Sequence, residues 1–156
     1  MNVLIIGSGG RENMICRALS GSAHLDKLYC YGPHINPGMK RLGCEIKVGP
    51  LSNKHSIISY AREKYITLAI IGPETPLKNN LALDFQLHNI SCIGPIAKYA
   101  QIETDKGFAR DILSNICPEA NPTYRIFKHT DSIQMVKDYI CENNKNNGAS
   151  TQIVIK

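Results

Sequence analysis

The feature that most constrains this chain is Val3-Leu4-Ile5-Ile6 running directly into Gly7-Ser8-Gly9-Gly10-Arg11-Glu12. A short unbroken apolar run has no polar face to offer water, so Asn2 to Ile6 reads as a strand buried on both sides. The glycines that follow let the chain turn sharply and bring its N–H groups close to an anion. A helix beginning there adds a favourable positive potential. Two readings stay open at this point: an anion-facing loop, or a tight strand-to-helix turn and nothing more. Both require strand–loop–helix, which commits the N-terminus to an α/β fold.

The same alternation continues. Met14, Ile15, Ala18 and Leu19 share a predicted helical face, with Gly21 as the stop signal. Further strands are predicted at Lys27 to Tyr31, Cys44 to Val48, Thr67 to Ile71 and Ser91 to Ile93. A helix over His55 to Lys64 carries Ile57, Ile58 and Ala61. Another is capped by Thr75, has Pro76 at its first position and lines up Leu77, Leu81 and Phe85. Repeated strand–helix–strand units imply a parallel, doubly wound, Rossmann-like sheet over residues 1–95. Beyond it, Ala97 to Ile102 reads as a connecting helical turn, followed by a helix capped by Thr104 and bearing Phe108, Ile112 and Leu113. A strand at Pro122 to Phe127, a helix at Ser132 to Cys141, a solvated Asn- and Lys-rich loop at Glu142 to Thr151 and a strand at Gln152 to Lys156 complete the pattern. Two strands with one or two helices are marginal as an independent fold. Residues 96–156 therefore read as a linker and the incomplete beginning of a second, α+β module. No internal repeat is present.

Several function classes fall away. A dinucleotide-binding G-x-G-x-x-G would need glycine where Glu12 stands, and the acidic residue expected after the second strand is replaced by Tyr31-Gly32-Pro33-His34. The phosphate loop G-x-x-x-x-G-K-[ST] occurs nowhere. The six cysteines form no C-x-x-C pair and no zinc spacing with histidine, so they read as reduced structural thiols. The formal charge of +5 comes from scattered Lys and Arg without aromatic interleaving, which suits phosphorylated small molecules better than nucleic acid. No apolar run is long enough to span a bilayer, and the N-terminus lacks the basic region of a signal peptide. The expected partners are small molecules, with no nucleic acid and no membrane, in the cytoplasm.

Four motifs, taken in order, carry a resemblance. Ile5-Ile6-Gly7-Ser8-Gly9-Gly10-Arg11-Glu12-Asn13 is similar to the G-x-G-G-R-E-H opening of the glycinamide ribonucleotide synthetases (phosphoribosylamine–glycine ligases). Ile71-Gly72-Pro73-Glu74-Thr75-Pro76-Leu77 resembles that family's G-P-E-x-P-L. Ile93-Gly94-Pro95 with Ala97, Ala100, Glu103, Lys106, Phe108 and Ala109 resembles its F-G-P…A…A…E…S-K-x-F. Ile153-Val154-Ile155-Lys156 looks like the P-x-V-I-K that precedes its glycine-rich ATP loop. The chain departs from the pattern at Asn13 for His, at Asp105 for Ser and in His34-Ile35-Asn36-Pro37-Gly38, an altered P-G-N-x-G.

The resemblance implies an ATP-dependent carbon–nitrogen ligase of de novo purine biosynthesis. Such an enzyme converts glycine to glycyl phosphate at the expense of ATP, and the amine of 5-phosphoribosylamine then displaces the phosphate. ATP and Mg²⁺ (or Mn²⁺) are implied for the complete enzyme. The first domain is then the substrate domain that precedes an ATP-grasp module. Its substrate-binding residues would be Gly7, Gly9, Gly10, Arg11, Glu12, Gly72, Pro73 and Glu74. Arg11 offers a fork of donors to phosphate, with a surface salt bridge as the alternative, and Glu12 would accept from ribose hydroxyls or the amine. Glu74 sits where open α/β sheets bind ligands, or else serves to cap the helix that follows it. Lys106 and Lys156 match two lysines for ATP phosphates, although Lys156 read without the resemblance is an exposed terminus. No catalytic residue and no metal ligand is assigned within the chain, and the chain alone is expected to be an inactive fragment. The alternative from a different class is a standalone, non-catalytic nucleotide- or phosphate-binding module.

Overall fold

The computed structural model describes residues 1–147. Five parallel strands form one sheet in the order β3-β2-β1-β4-β5: β1 is Asn2–Ile6, β2 Lys27–Gly32, β3 Glu45–Val48, β4 Leu68–Ile71 and β5 Ser91–Ile93. The helices between them are α1 (Gly10–Leu19), α2 (Pro37–Arg41), α3 (Lys54–Glu63), α4 (Glu74–Lys78), α5 (Leu81–Leu87) and α6 (Ala97–Thr104). The expected doubly wound α/β sheet is therefore present.

Alternation along each strand sorts side chains onto two faces. Val3, Ile5, Leu28, Cys30 and Ile70 point to one face and pack with Cys16 of α1 and Met39 of α2. Leu4, Ile6, Tyr29, Tyr31, Ala69 and Ile71 point to the other. There they meet Ile57 and Ala61 of α3, Leu77 of α4, Leu81 and Phe85 of α5, and Ala100 of α6. Because both faces are covered, the strands need no polar side, and this is why they read as continuous apolar runs in the sequence.

Three local expectations are corrected. On α1 the buried positions are Glu12 and Cys16, while Met14 is 58% exposed and Ala18 also faces solvent. Apolar spacing overlooked a face built from a carboxylate and a thiol. That helix does end as expected, at Leu19 with Ser20 as its C-cap and Gly21 directly after it, the Ser20 N–H closing on the Cys16 carbonyl at 3.0 Å. The helix predicted from Pro76 onward starts earlier, at Glu74 with Pro73 as its cap residue, and breaks at Asn80, whose φ of +62° is left-handed. Asn80 Oδ1 then accepts the Ala97 N–H at 2.9 Å, so the break is used to hold the start of α6. Lastly, Asp105 rather than Thr104 caps α7 (Lys106–Ile116), its Oδ1 accepting the Phe108 N–H at 3.0 Å.

The chain divides into two compact units, Met1–Ala109 and Arg110–Lys156, with α7 running across the division. In the second unit a 3₁₀ turn at Pro118–Ala120 precedes α8 (Ile133–Asn147). Asn121 ties its own loop back to α7, donating to the Arg110 carbonyl at 2.9 Å and to Ser114 Oγ at 2.8 Å. The Arg125 guanidinium lies over the rings of Phe127 and Tyr139, 5.1 and 5.5 Å from their centroids. The strand expected at Pro122 to Phe127 is not formed among the described residues. β-rich composition reports a fit to a sheet, whereas a strand also needs a backbone partner, and none of the described residues pairs with this segment. The loop expected from Glu142 is helical up to Asn147. The predicted strand Gln152 to Lys156 lies outside the described residues.

Candidate functional site

Parallel register decides which motifs meet. Ile6 aligns with Tyr31 on one side and with Ile71 on the other, so the residues that follow each strand leave the sheet at one edge. The Gly7 N–H donates to the Tyr31 carbonyl at 2.9 Å, and the Gly72 N–H donates to the Ile6 carbonyl at 3.1 Å. From β1 the chain builds outward through β2 and β3, then crosses to β4 and β5 on the other side. The reversal between β1 and β4 is the topological switch point, where open α/β sheets bind ligands outside the strand ends. The Gly7–Glu12 loop and the Gly72–Glu74 turn flank it.

Glu12 joins the two. Its side chain is only 6% exposed, and its carboxylate accepts the Gly9 N–H at 2.7 Å and Arg11 Nε at 3.2 Å. A buried carboxylate is tolerated only with such partners. A Cβ at Gly7 would stand 2.9 Å from both Glu12 Cδ and Pro73 Cδ, and one at Gly9 would stand 2.8 Å from Glu12 Oε2. At Gly72 an added Cβ would run into Glu12 Oε1 and lie 2.6 Å from its Cδ. Gly7 additionally has φ +109°, a conformation that side chains resist. Three motif glycines are thus small because one carboxylate fills the space between the motifs.

The remaining predicted residues divide by exposure. Gly10 opens α1, and an added Cβ there would meet nothing within 4 Å. Helix geometry leaves the first-turn N–H groups without intrahelical acceptors, and no hydrogen bond among the described residues uses those of Gly10 or Arg11. Arg11 is 55% exposed and pairs with Glu12 through Nε alone. Pro73 is half-buried, and Glu74 is exposed as the first residue of α4. Lys106 is exposed at the start of α7, and Lys156 lies outside the described residues. Among the described residues, no three His, Cys, Asp or Glu side chains gather around a possible metal position.

Structure adds participants that the motif reading missed. Ser8 is 4% exposed and its Oγ has no hydrogen-bond partner among the described residues. It packs on Gly32, where an added Cβ would stand 2.9 Å from Ser8 Oγ. Asn36 caps α2 and also reaches the glycine loop, its Nδ2 donating to the Ser8 carbonyl at 2.9 Å and the Gly9 carbonyl at 3.2 Å. The sequence signal for Asn36 was the Asn-Pro-Gly run, which marks a helix start but says nothing of a second partner. Cys30 donates its thiol to the Gly7 carbonyl at 3.1 Å, and burial pushes that thiol up to about 12. Cys16 and Cys44 are likewise raised by burial, so these are structural thiols with little thiolate to react. A groove of about 420 Å³ lined by His55, Ile58, Ser59, Arg62, Glu63 and His88 shares no residue with the glycine loop. It is open, and most of its lining side chains are exposed.

A five-stranded parallel sheet whose switch point is lined by a glycine-rich loop and a Gly-Pro-Glu turn defines a Rossmann-like α/β domain. More particularly, the chain belongs to a ligase family: the family model described as phosphoribosylglycinamide synthetase, N domain, matches residues 1–103. A phosphoribosylamine–glycine ligase of Methanoregula boonei is 36% identical over 140 residues, covering 89% of this chain and 33% of the relative. The enzyme of the same name from Pyrococcus horikoshii is 35% identical over 146 residues, or 93% of this chain and 32% of that protein. That of Brucella melitensis is 39% identical over 112 residues, or 72% and 26%. The chain spans between about a quarter and a third of the length of these curated relatives.

Proposed function

We propose that this chain serves phosphoribosylamine–glycine ligase as its substrate domain, holding 5-phosphoribosylamine at the switch point between β1 and β4. The observation that carries the reading is the Glu12 carboxylate, which draws the glycine loop and the Gly72–Glu74 turn into one surface. On that surface the free N–H groups of Gly10 and Arg11 and the exposed Arg11 guanidinium present positive potential to a sugar phosphate. Gly7, Gly9, Gly72 and Pro73 form its walls, and the exposed Glu74 at its rim would accept from ribose hydroxyls or the substrate amine, the role first expected of the buried Glu12. Glu12 itself lies beneath this surface.

Residues from Lys106 onward are read as the opening of an ATP-grasp module, with Lys106 and Lys156 directed toward ATP phosphates. In the complete enzyme, ATP with Mg²⁺ or Mn²⁺ would activate the glycine carboxylate. The part taken by this domain is to hold the sugar amine in place for attack, the entropic share of the reaction. Such an enzyme of purine biosynthesis belongs in the cytoplasm.

Amide NMR of the 156-residue chain titrated with ribose 5-phosphate tests the reading. The expected result is that resonances of residues 7–11 and 72–74 move together and saturate. NADH should leave them unmoved. No movement at these residues, or movement confined to the His55–His88 groove, overturns it.

A further inference from the structure

Asn36 makes two sets of bonds with a single amide. Its Oδ1 accepts the N–H groups of Gly38 at 2.8 Å and Met39 at 3.3 Å, which caps α2. Its Nδ2 donates to the carbonyls of Ser8 and Gly9, at 2.9 and 3.2 Å, which belong to the glycine loop. The orientation is unambiguous, because turning the amide over would oppose oxygen to two carbonyls and NH₂ to two N–H groups.

The far end of this link is rigid. Met39 is fully buried in the core beneath β1 and β2. α2 also lies hard against α1, since a Cβ at Gly38 would stand 2.5 Å from Asn13 Oδ1. The near end holds the Ser8 and Gly9 carbonyls, which share peptide units with the N–H groups of Gly9 and Gly10. Peptide units are planar, so fixing the Gly9 carbonyl fixes the direction of the Gly10 N–H in the same unit. The Ser8 carbonyl fixes the Gly9 N–H, which Glu12 receives from the opposite side at 2.7 Å.

We infer that Asn36 is a positioning residue for the substrate anion: by clamping the Ser8 and Gly9 carbonyls it aims the Gly10 N–H, the first of α1, without itself contacting the anion. This rests on the reading of the glycine loop as the sugar-phosphate site. Aspartate separates the two halves of the role. Asn36→Asp keeps an excellent cap for α2 but loses the donor and sets a carboxylate against two carbonyls. Asn36→Ala loses both halves.

The experiment uses the full chain and three readouts: thermal midpoint, residue-resolved amide hydrogen exchange and titration with ribose 5-phosphate. For Asn36→Asp we expect a nearly unchanged midpoint and retained protection of the Gly38 and Met39 amides. The Gly9 amide should exchange at least ~10-fold faster, and ribose 5-phosphate affinity should fall ~10-fold or more, the scale of two lost hydrogen bonds and one repulsion. Asn36→Ala should lower midpoint and affinity together. Wild-type exchange at Gly9 in Asn36→Asp, or wild-type affinity, overturns the inference. If the unmutated chain binds no ribose 5-phosphate, the ligand reading fails, while Gly9 exchange still decides whether the clamp exists.

Discussion

The two compact units of this chain use similar residues to different ends. Met1–Ala109 buries Leu4, Ile5, Ile6, Ile57, Leu81 and Phe85 to 0% exposure. In the second unit, from Arg110, none of the side chains described reaches that state; Ile116 is 77% exposed, Ile126 50% and Ile133 75%. Its described order rests instead on polar and cation–aromatic ties around Asn121 and Arg125. A sheet covered on both faces removes apolar side chains from water in bulk, and this is the largest favourable contribution to folding. Amphipathic helices without such a sheet keep their apolar stripes partly wet, and surface ties contribute far less per residue.

Truncation of a core residue should show the largest difference. Phe85→Ala leaves a cavity beneath α5 and should cost roughly 3–5 kcal/mol, whereas Ile116→Ala should stay within about 0.5 kcal/mol. Denaturant titration of the 156-residue chain compares them directly, and equal losses would break the contrast between the units. A smaller effect is expected where the first unit packs its two glycine motifs together. Gly72→Ala drives a methyl into the Glu12 carboxylate and should cost about 1–3 kcal/mol through overpacking. Combining it with Glu12→Ala should cost less than the two single losses added, because both act on one contact. Simple additivity would mean that the two motifs are not joined through Glu12.

The smallest effect is electrostatic and belongs to the opposite edge of the sheet. Glu45 lies between Lys27 at 2.6 Å and Lys64 at 2.9 Å, and their hydrogen bonds hold its carboxyl down to about 2 from an ordinary 4.5. A carboxyl depressed by folding adds stability that is complete above its unfolded value and disappears as pH falls through its folded one. The window is therefore pH 4.5 down to about 2. Because Glu45 is 37% exposed, solvent screening limits the contribution to well under ~1 kcal/mol. Glu45→Gln should flatten acid destabilisation in that window and change little at neutral pH, as a pH series of thermal midpoints would show. An unchanged acid limb would remove Glu45 from the account.

Much of the first unit was legible because its strands are doubly buried. Val3 to Ile6, Leu28 to Tyr31 and Leu68 to Ile71 announce themselves without a partner in view. The site was legible as two motifs, but not as one surface, since nothing along the chain says that residue 12 fills the space beside residue 72. Asn80 was read through as helix because its left-handed turn answers to the Ala97 N–H, 17 residues away. Pro122 to Phe127 was read as strand because composition cannot supply a pairing partner.

The amino-acid order by itself determined the α/β alternation, the parallel sense of the sheet and the glycine-rich turn after β1, since these follow from local periodicity and the conformational freedom of glycine. Tertiary structure alone decided that Glu12 turns inward to join the Gly7 and Gly72 motifs and that Asn36 holds the loop from α2. It also decided that the second unit lacks a fully buried side chain among its described residues. Those outcomes depend on contacts between residues far apart in the chain. Burial and hydrogen-bond partners are properties of the folded neighbourhood, and local sequence does not carry them.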